Sequence, residues 1–140
     1  MLAAVRVRGQ PDLNKRQEET LENLGLTQKN HGILLPDTEA MRGMLRTVKD
    51  AVTYGQIDAE TAASVLNARG TVPDDEDVQD IADALDDGSL TKSEAQDRGV
   101  DLVLRLRPPS GGYADTRHHV GQGGSLGERE TMDDLLERMA

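Results

Sequence analysis

Apolar residues recur along this chain in two periods, and the switches between them mark its elements. Leu2 to Arg8 has period two, with Val5 and Val7 on one side and Arg6 and Arg8 on the other, so it predicts a strand that Gly9 ends. Asn14 with Gln17 three residues on predicts a capping box. The helix it opens has Leu21 and Leu24 as its apolar edge and Gly25 as its stop. His31 to Leu35 is a second strand, closed by Pro36. Asp37 or Thr38 then caps a helix in which Met41, Met44, Leu45, Val48 and Val52 fall at i, i+3, i+4, i+7 and i+11. Arg42, Arg46 and Lys49 form a separate stripe on that helix, which spacing alone reads as a solvated face.

The second half is more helical. Asp58 opens a short helix through Leu66 that fades at Arg69 and Gly70. Val78, Ile81, Ala82 and Leu85 make an apolar stripe inside a ring of aspartates, Gly88 stops it, and Thr91 or Ser93 caps a further short helix. Val100 to Arg107 alternates again, with Leu102, Leu104 and Leu106 opposite Val103, Arg105 and Arg107, until Pro108 and Pro109 end it. Residues 110–127 have no apolar period and read as a loop or extended arm. Met132, Leu135, Leu136 and Met139 predict a last amphipathic helix.

This order predicts an α/β (α+β) fold, a small two-layer sandwich with helices on one sheet face. Residues 1–57 and 100–108 form its β-α-β-α-β core, 58–99 an acidic helical insert, and 109–140 a Gly-rich arm with a short C-terminal helix. If the first and last strands join one sheet, Arg6, Arg8, Arg105 and Arg107 share an open face.

Composition narrows the classes. The 140 residues contain no Cys, Phe or Trp, so there is no disulfide framework or thiolate metal site, and the core is aliphatic. No apolar run approaches the roughly 20 residues of a membrane span, and the start is too short and too quickly charged for a signal peptide. A soluble cytoplasmic protein is the expectation. The net charge of −10 is unevenly spread. Residues 1–56 hold 8 basic and 7 acidic side chains, 57–97 hold 2 and 12, and 98–140 hold 6 and 7. The net acidity is thus concentrated in the middle, and the flanks are near neutral. Twelve of the cations are Arg, whose fork suits phosphate.

Several chemistries fall away. The run Gly121 to Gly127 lacks the Gly-Lys-Ser/Thr ending and the strand-to-helix context of a phosphate loop. His118 and His119 are adjacent and diverge, so they make poor joint metal ligands. Asp83, Asp87, Gly88 and Glu94 match part of a calcium-loop pattern, but its third position is Leu85 of the apolar stripe. No nucleophile and base are paired, so no catalysis and no cofactor are expected.

One stretch carries more. Lys29 to Asp58 contains N-H before an apolar strand, then P-D-T, R-G-M-L and V-K-D. Further on, L-R-L-R-P-P-S-G-G is followed by G-G-S-L-G. In order and spacing this resembles the L-thirty family of large-subunit ribosomal proteins, in its archaeal form with a C-terminal extension. Met41, Gly32 and Ala51 stand where relatives often have other residues, which touches packing more than RNA contact. The resemblance implies a structural, non-catalytic component of the large ribosomal subunit, one copy per ribosome, with large-subunit rRNA as partner. Neighbouring ribosomal proteins and the small ribosomal RNA of that subunit are further candidate partners. It turns the basic stripe into an RNA-binding expectation. The residues implied are Arg8, Lys15, Arg16, Lys29, Asn30, His31, Arg42, Gly43, Arg46 and Lys49, then Arg105, Arg107, Arg117, His118 and His119. With two tyrosines as the only aromatics, base stacking is a minor mode. An acidic chain of this kind suggests a high-salt cytoplasm, as in halophilic archaea, where a Debye length of about 3 Å at molar salt mutes self-repulsion. Two other classes fit the residues without the resemblance. A regulatory ligand-binding domain predicts a concave apolar pocket, and an adaptor using the acidic helices predicts a basic protein partner.

Overall fold

A computed structural model describes residues 1–9, 13–113 and 115–140, without the side chains of Asp115 and Arg117. It begins as the hydrophobic pattern predicts. Strand β1 (Leu2–Arg6) leads to helix α1 (Lys15–Leu24) and strand β2 (His31–Leu35). The capping box is made: Gln17 N–H donates to Asn14 Oδ1 at 2.9 Å, and Asn14 N–H to Gln17 Oε1 at 3.1 Å. A cap of this kind contributes about 1 kcal/mol. Leu21 and Leu24 are buried, and Gly25 ends the helix at φ 81°, where a Cβ is disfavoured.

Helix α2 (Glu39–Thr47) follows, opened by Thr38, whose hydroxyl oxygen accepts from Met41 N–H. It stops earlier than its apolar period suggests. Val52 starts strand β3 (Val52–Gln56), so its i+11 position was an accident of burial. Val52, Thr53 and Tyr54 are strand formers, and a tight turn at 48–51 separates them from the helix. The acidic middle forms helices α3 (Ala59–Arg69), α4 (Val78–Asp87) and α5 (Lys92–Asp97), capped or preceded by Asp58, Asp77 and Thr91. Strand β4 keeps only Val103–Arg105 of the alternating run.

The expected arm is ordered differently. Residues 115–131 form strands β5 (Asp115–His119) and β6 (Gly124–Thr131) around a short 3-10 turn, before helix α6 (Asp133–Met139). Glycines here serve close strand packing. A Cβ on Gly124 would strike His118 O, and one on Gly55 would strike Arg129 O across the β3–β6 pair. Small residues that erase an apolar period can thus be the condition for a strand.

The sheet order is β4-β2-β1-β3-β6-β5. Pairs β1–β2, β1–β3 and β2–β4 are antiparallel, and β3–β6 and β5–β6 are parallel. The class is mixed α/β with a β-α-β-α start, as expected. The open face is not. Leu2, Ala3, Ala4 and Val5 are each 0% exposed. Successive strand side chains point to opposite faces, so both faces of β1 are covered. One hydrophobic cluster joins the sheet to Leu45 of α2 and Val48 at its end, Leu66 and Leu85 of the acidic helices, and Leu136 and Met139 of α6. Gly32, one of the departures noted in sequence, lies beneath this cover. A Cβ there would be 2.9 Å from Leu106 Cδ1 and 3.1 Å from Ala4 O.

Candidate nucleic-acid interface

Strand direction sorts the charged residues into two ends. Register sets Leu2 opposite Leu35 and Gln56 at one end, and Arg6 opposite Val52 at the other. His31 opposes Arg105 at that second end. The end of β1, the starts of β2 and β3, and the end of β4 therefore lie together. Arg8 N–H reaches Ala51 O at 3.1 Å, which adds the turn carrying Lys49. His119 of β5 adds the outer strands, through a 2.9 Å contact between its Nε2 and Asp50 Oδ1.

Arg8, Lys29, Asn30, His31, Lys49, Arg105, Arg107, His118 and His119 thus converge on one end. Lys29, Lys49, Arg105, Arg107 and His118 are exposed there. Arg105 is 66% exposed and reaches Asp101 only at 4.0 Å. Arg107 donates through Nε to Ala140 O at 3.1 Å. Arg46 is one helical turn from this end and 60% exposed, with Glu39 at 3.8 Å. Lys15 and Arg16 are exposed at the start of α1. The Arg117 side chain lies outside the described residues.

Some residues at this end build it. Arg6 is 6% exposed, and its guanidinium donates to Arg8 O, Leu26 O and Gly9 O. It therefore does not share an open face with Arg105 and Arg107. Three carbonyl partners offset the cost of burying its charge. Burial still lowers its pKa, against a smaller opposing pull from Glu18. Asn30 takes φ 69°, a left-handed turn that Asn tolerates better than most residues, and its Oδ1 accepts from Tyr113 O–H at 2.6 Å. Burial pushes the Tyr113 phenol up to about 12. His31 is held below the usual imidazole range, first by burial and then by Arg105. Its Nδ1 is buried without a hydrogen-bond partner among the described residues.

Arg42 lies elsewhere. Helix α2 starts from the opposite end of the sheet, and Arg42 is in its first turns. Its Nε donates to Asp37 Oδ1 at 2.6 Å, Nη2 to Asp37 Oδ2 at 2.9 Å and Nη1 to Glu128 Oε1 at 3.2 Å. Gln56 Nε2 adds a 2.7 Å bond to Asp37. The fork is filled by the protein's own carboxylates. Sequence reasoning grouped Arg42 with Arg46 and Lys49 by helical spacing, and nothing in spacing announced Glu128 from β6. Gly43 is different again, since a Cβ there would meet nothing within 4 Å. Gly inside a helix costs about 1 kcal/mol relative to Ala, and this fold has no steric need for it.

The opposite end is acidic. The Met1 amino group pairs with Asp86 at 3.2 Å, and Asp58 N–H donates to Asp133 Oδ1 at 3.0 Å. Asp133 raises the Asp58 carboxyl above its usual value, first by a hydrogen bond between the two side chains and then by like charge. Of the partial calcium-loop pattern, Asp83 accepts from Gln79, Asp87 caps Ser89, and Leu85 is 0% exposed in the core. Among the described residues, no helix is long and apolar enough to cross a membrane.

A family profile described as Ribosomal protein L30p/L7e matches residues 2–52, from β1 to the first residue of β3. Curated relatives match the whole length. The large ribosomal subunit protein uL30 of Methanoculleus marisnigri is 38% identical, covering 99% of each chain. The uL30 proteins of Haloarcula marismortui and Natronomonas pharaonis are 35% and 36% identical, at 99% of each chain. The chain belongs to the uL30 family of large ribosomal subunit proteins. That family is structural and non-enzymatic, so the membership itself sets an enzyme apart. Methanogen and haloarchaeal uL30 proteins match equally well, and salt adaptation does not follow from the similarity. The profile covers the β-α-β-α unit that brings Arg8, Asn30, His31 and Lys49 together, and the full-length matches extend over the sequence of the outer strands too.

Proposed function

We propose that this uL30 chain is a structural constituent of the large ribosomal subunit that binds its rRNA through the basic end of the sheet. The observation that carries this reading is the convergence of Arg8, Lys29, Lys49, Arg105, Arg107 and His118 from separate segments on one end. Arginine and lysine side chains there suit phosphate and sugar contacts, which position a protein more than they read sequence. Arg46 and Gly43 extend the contact along α2, with Lys15, Arg16 and the Arg117 segment as its margins. Arg42 acts by holding α2 to Asp37 and Glu128. The acidic helices point away from rRNA and meet neighbouring proteins or solvent. Its setting is the cytoplasmic ribosome, with one copy per large subunit.

Sedimentation tests this reading. Tagged protein expressed in an archaeal host should comigrate with the large subunit on a sucrose gradient in that host's salt. Protein that stays at the top of the gradient under those conditions would overturn it.

A further inference from the structure

The following inference rests on the rRNA-binding reading and narrows it to a class of RNA. The buried side of α2 is marked by Leu45, with Val48 just past its end and Met41 and Met44 packed against the core. Gly43 lies on the other side, where Arg46 and Thr47 follow at i+3 and i+4. Both neighbours fold back along the helix. Thr47 Oγ1 donates to Gly43 O at 3.1 Å, and Arg46 Nε to Arg42 O at 3.4 Å. A Cβ on Gly43 would meet nothing within 4 Å, so the helix backbone is open there, with the exposed Arg46 one turn on and the exposed Lys49 in the turn after the helix. Glu39, 94% exposed, lies one turn toward the helix start and repels phosphate, so an RNA strand is favoured over the later half.

The second observation concerns stacking. Among the described residues no large hydrophobic side chain is exposed. Tyr54 is 3% exposed, and Tyr113 is half-buried with its hydroxyl given to Asn30. These two are the chain's whole aromatic complement. Unpaired RNA is read by bases splayed onto aromatic rings or Arg guanidinium planes, whereas A-form duplex is met through riboses and phosphates across its wide, shallow minor groove. The first mode has no exposed Tyr, Phe or Trp platform among the described residues, and the second needs a low surface flanked by cations, as at Gly43 and Arg46.

We propose that Gly43, Arg46, Thr47 and Lys49 pack against the sugar–phosphate backbone of duplex RNA. The bare helix backbone at Gly43 meets the ribose edge, and the two cations take flanking phosphates. The test uses the full chain, wild type and Gly43→Ala, with an in vitro transcript of large-subunit rRNA. It reads affinity, hydroxyl-radical protection of riboses, dimethyl sulfate reactivity of bases, and the melting temperature of free protein. Gly43→Ala should melt at the same or a higher temperature, yet bind roughly tenfold more weakly. It should lose ribose protection within a base-paired segment while base reactivities stay unchanged. Wild-type affinity for Gly43→Ala, or lost protection that falls on unpaired bases, would overturn the inference. A wild-type chain that neither binds nor protects the transcript would instead overturn the rRNA-binding reading beneath it.

Discussion

The two ends of the six-stranded sheet differ in charge and in how that charge is used. At one end, cations stand past the strand ends: Lys29 and Lys49 are exposed, and Arg105 reaches the Asp101 carboxylate at 4.0 Å. At the other, Asp37, Asp58, Asp86 and Asp133 gather, and Arg42 is consumed by Asp37 and Glu128. A net charge of −10 therefore describes neither surface. Strand direction made the separation, because antiparallel β1, β2 and β3 return the same few loops to the same end. On the proposed reading, the acidic excess is kept away from the end offered to RNA.

The most severe way to break this arrangement is at Gly55. Strand β6 runs from His118's level at the basic end to Asp133 at the acidic end, and only Gly at 55 lets it pair with β3. Gly55→Ala should destabilise the chain by about 3 kcal/mol, read by urea denaturation. A loss under about 0.5 kcal/mol would mean the outer strands are not held there.

Charge reversal compares the ends directly. Arg46→Glu with Lys49→Glu should weaken rRNA binding about 100-fold and flatten its salt dependence. Asp80→Lys with Asp83→Lys on α4 should change affinity less than about threefold at matched salt. Filter binding across a potassium chloride series reads both.

Arg42→Ala should act on stability first, with a cost of about 1 kcal/mol in denaturation. Arg42 holds the Asp37 carboxyl below the usual range, chiefly by their hydrogen bond. A lowered carboxyl pKa gives stability that is present above the ordinary carboxylate value and is lost as pH falls through the folded value. The gap between wild type and Arg42→Ala should therefore close in acid. Persistence of the full gap there would point to packing in place of charge.

The smallest effect has the opposite sign. Asp133 raises the Asp58 pKa, so the folded chain holds that proton more tightly than the unfolded one. The pair costs stability above the folded value, and the cost fades as pH falls through it. Asp133→Asn keeps an oxygen for Asp58 N–H and removes the charge. It should raise the melting temperature slightly at neutral pH in low salt, and the gain should vanish in molar potassium chloride. A gain independent of salt would rule out like-charge repulsion as its cause.

Much of the first half was legible because its signals are local. Asn14 and Gln17, Thr38, Gly25 and Pro36 each act within a few residues, and the helix and strand ends they mark are where the sequence puts them. Strands β3, β5 and β6 were not legible. Val52 mimicked a helical position, and the glycines of 121–127 concealed strand residues whose reason for being small lies on a neighbouring strand. The site divided in the same way. Cations could be listed from sequence, but which are spoken for depends on partners far along the chain. Arg42 meets Glu128 and Arg6 meets Leu26 O, whereas Lys49 stays exposed.

The central claim is that rRNA meets the basic end and not the acidic one. The chain has no cysteine, so a single one can be placed at either end to tether an iron chelate that cleaves nearby RNA. Gln28→Cys marks the basic end and Asp83→Cys the acidic helices, both at exposed positions. In assembled large subunits, strong cleavage of large-subunit rRNA from position 28 and weak cleavage from position 83 is the predicted result. Equal cleavage from both, or stronger cleavage from 83, would contradict it.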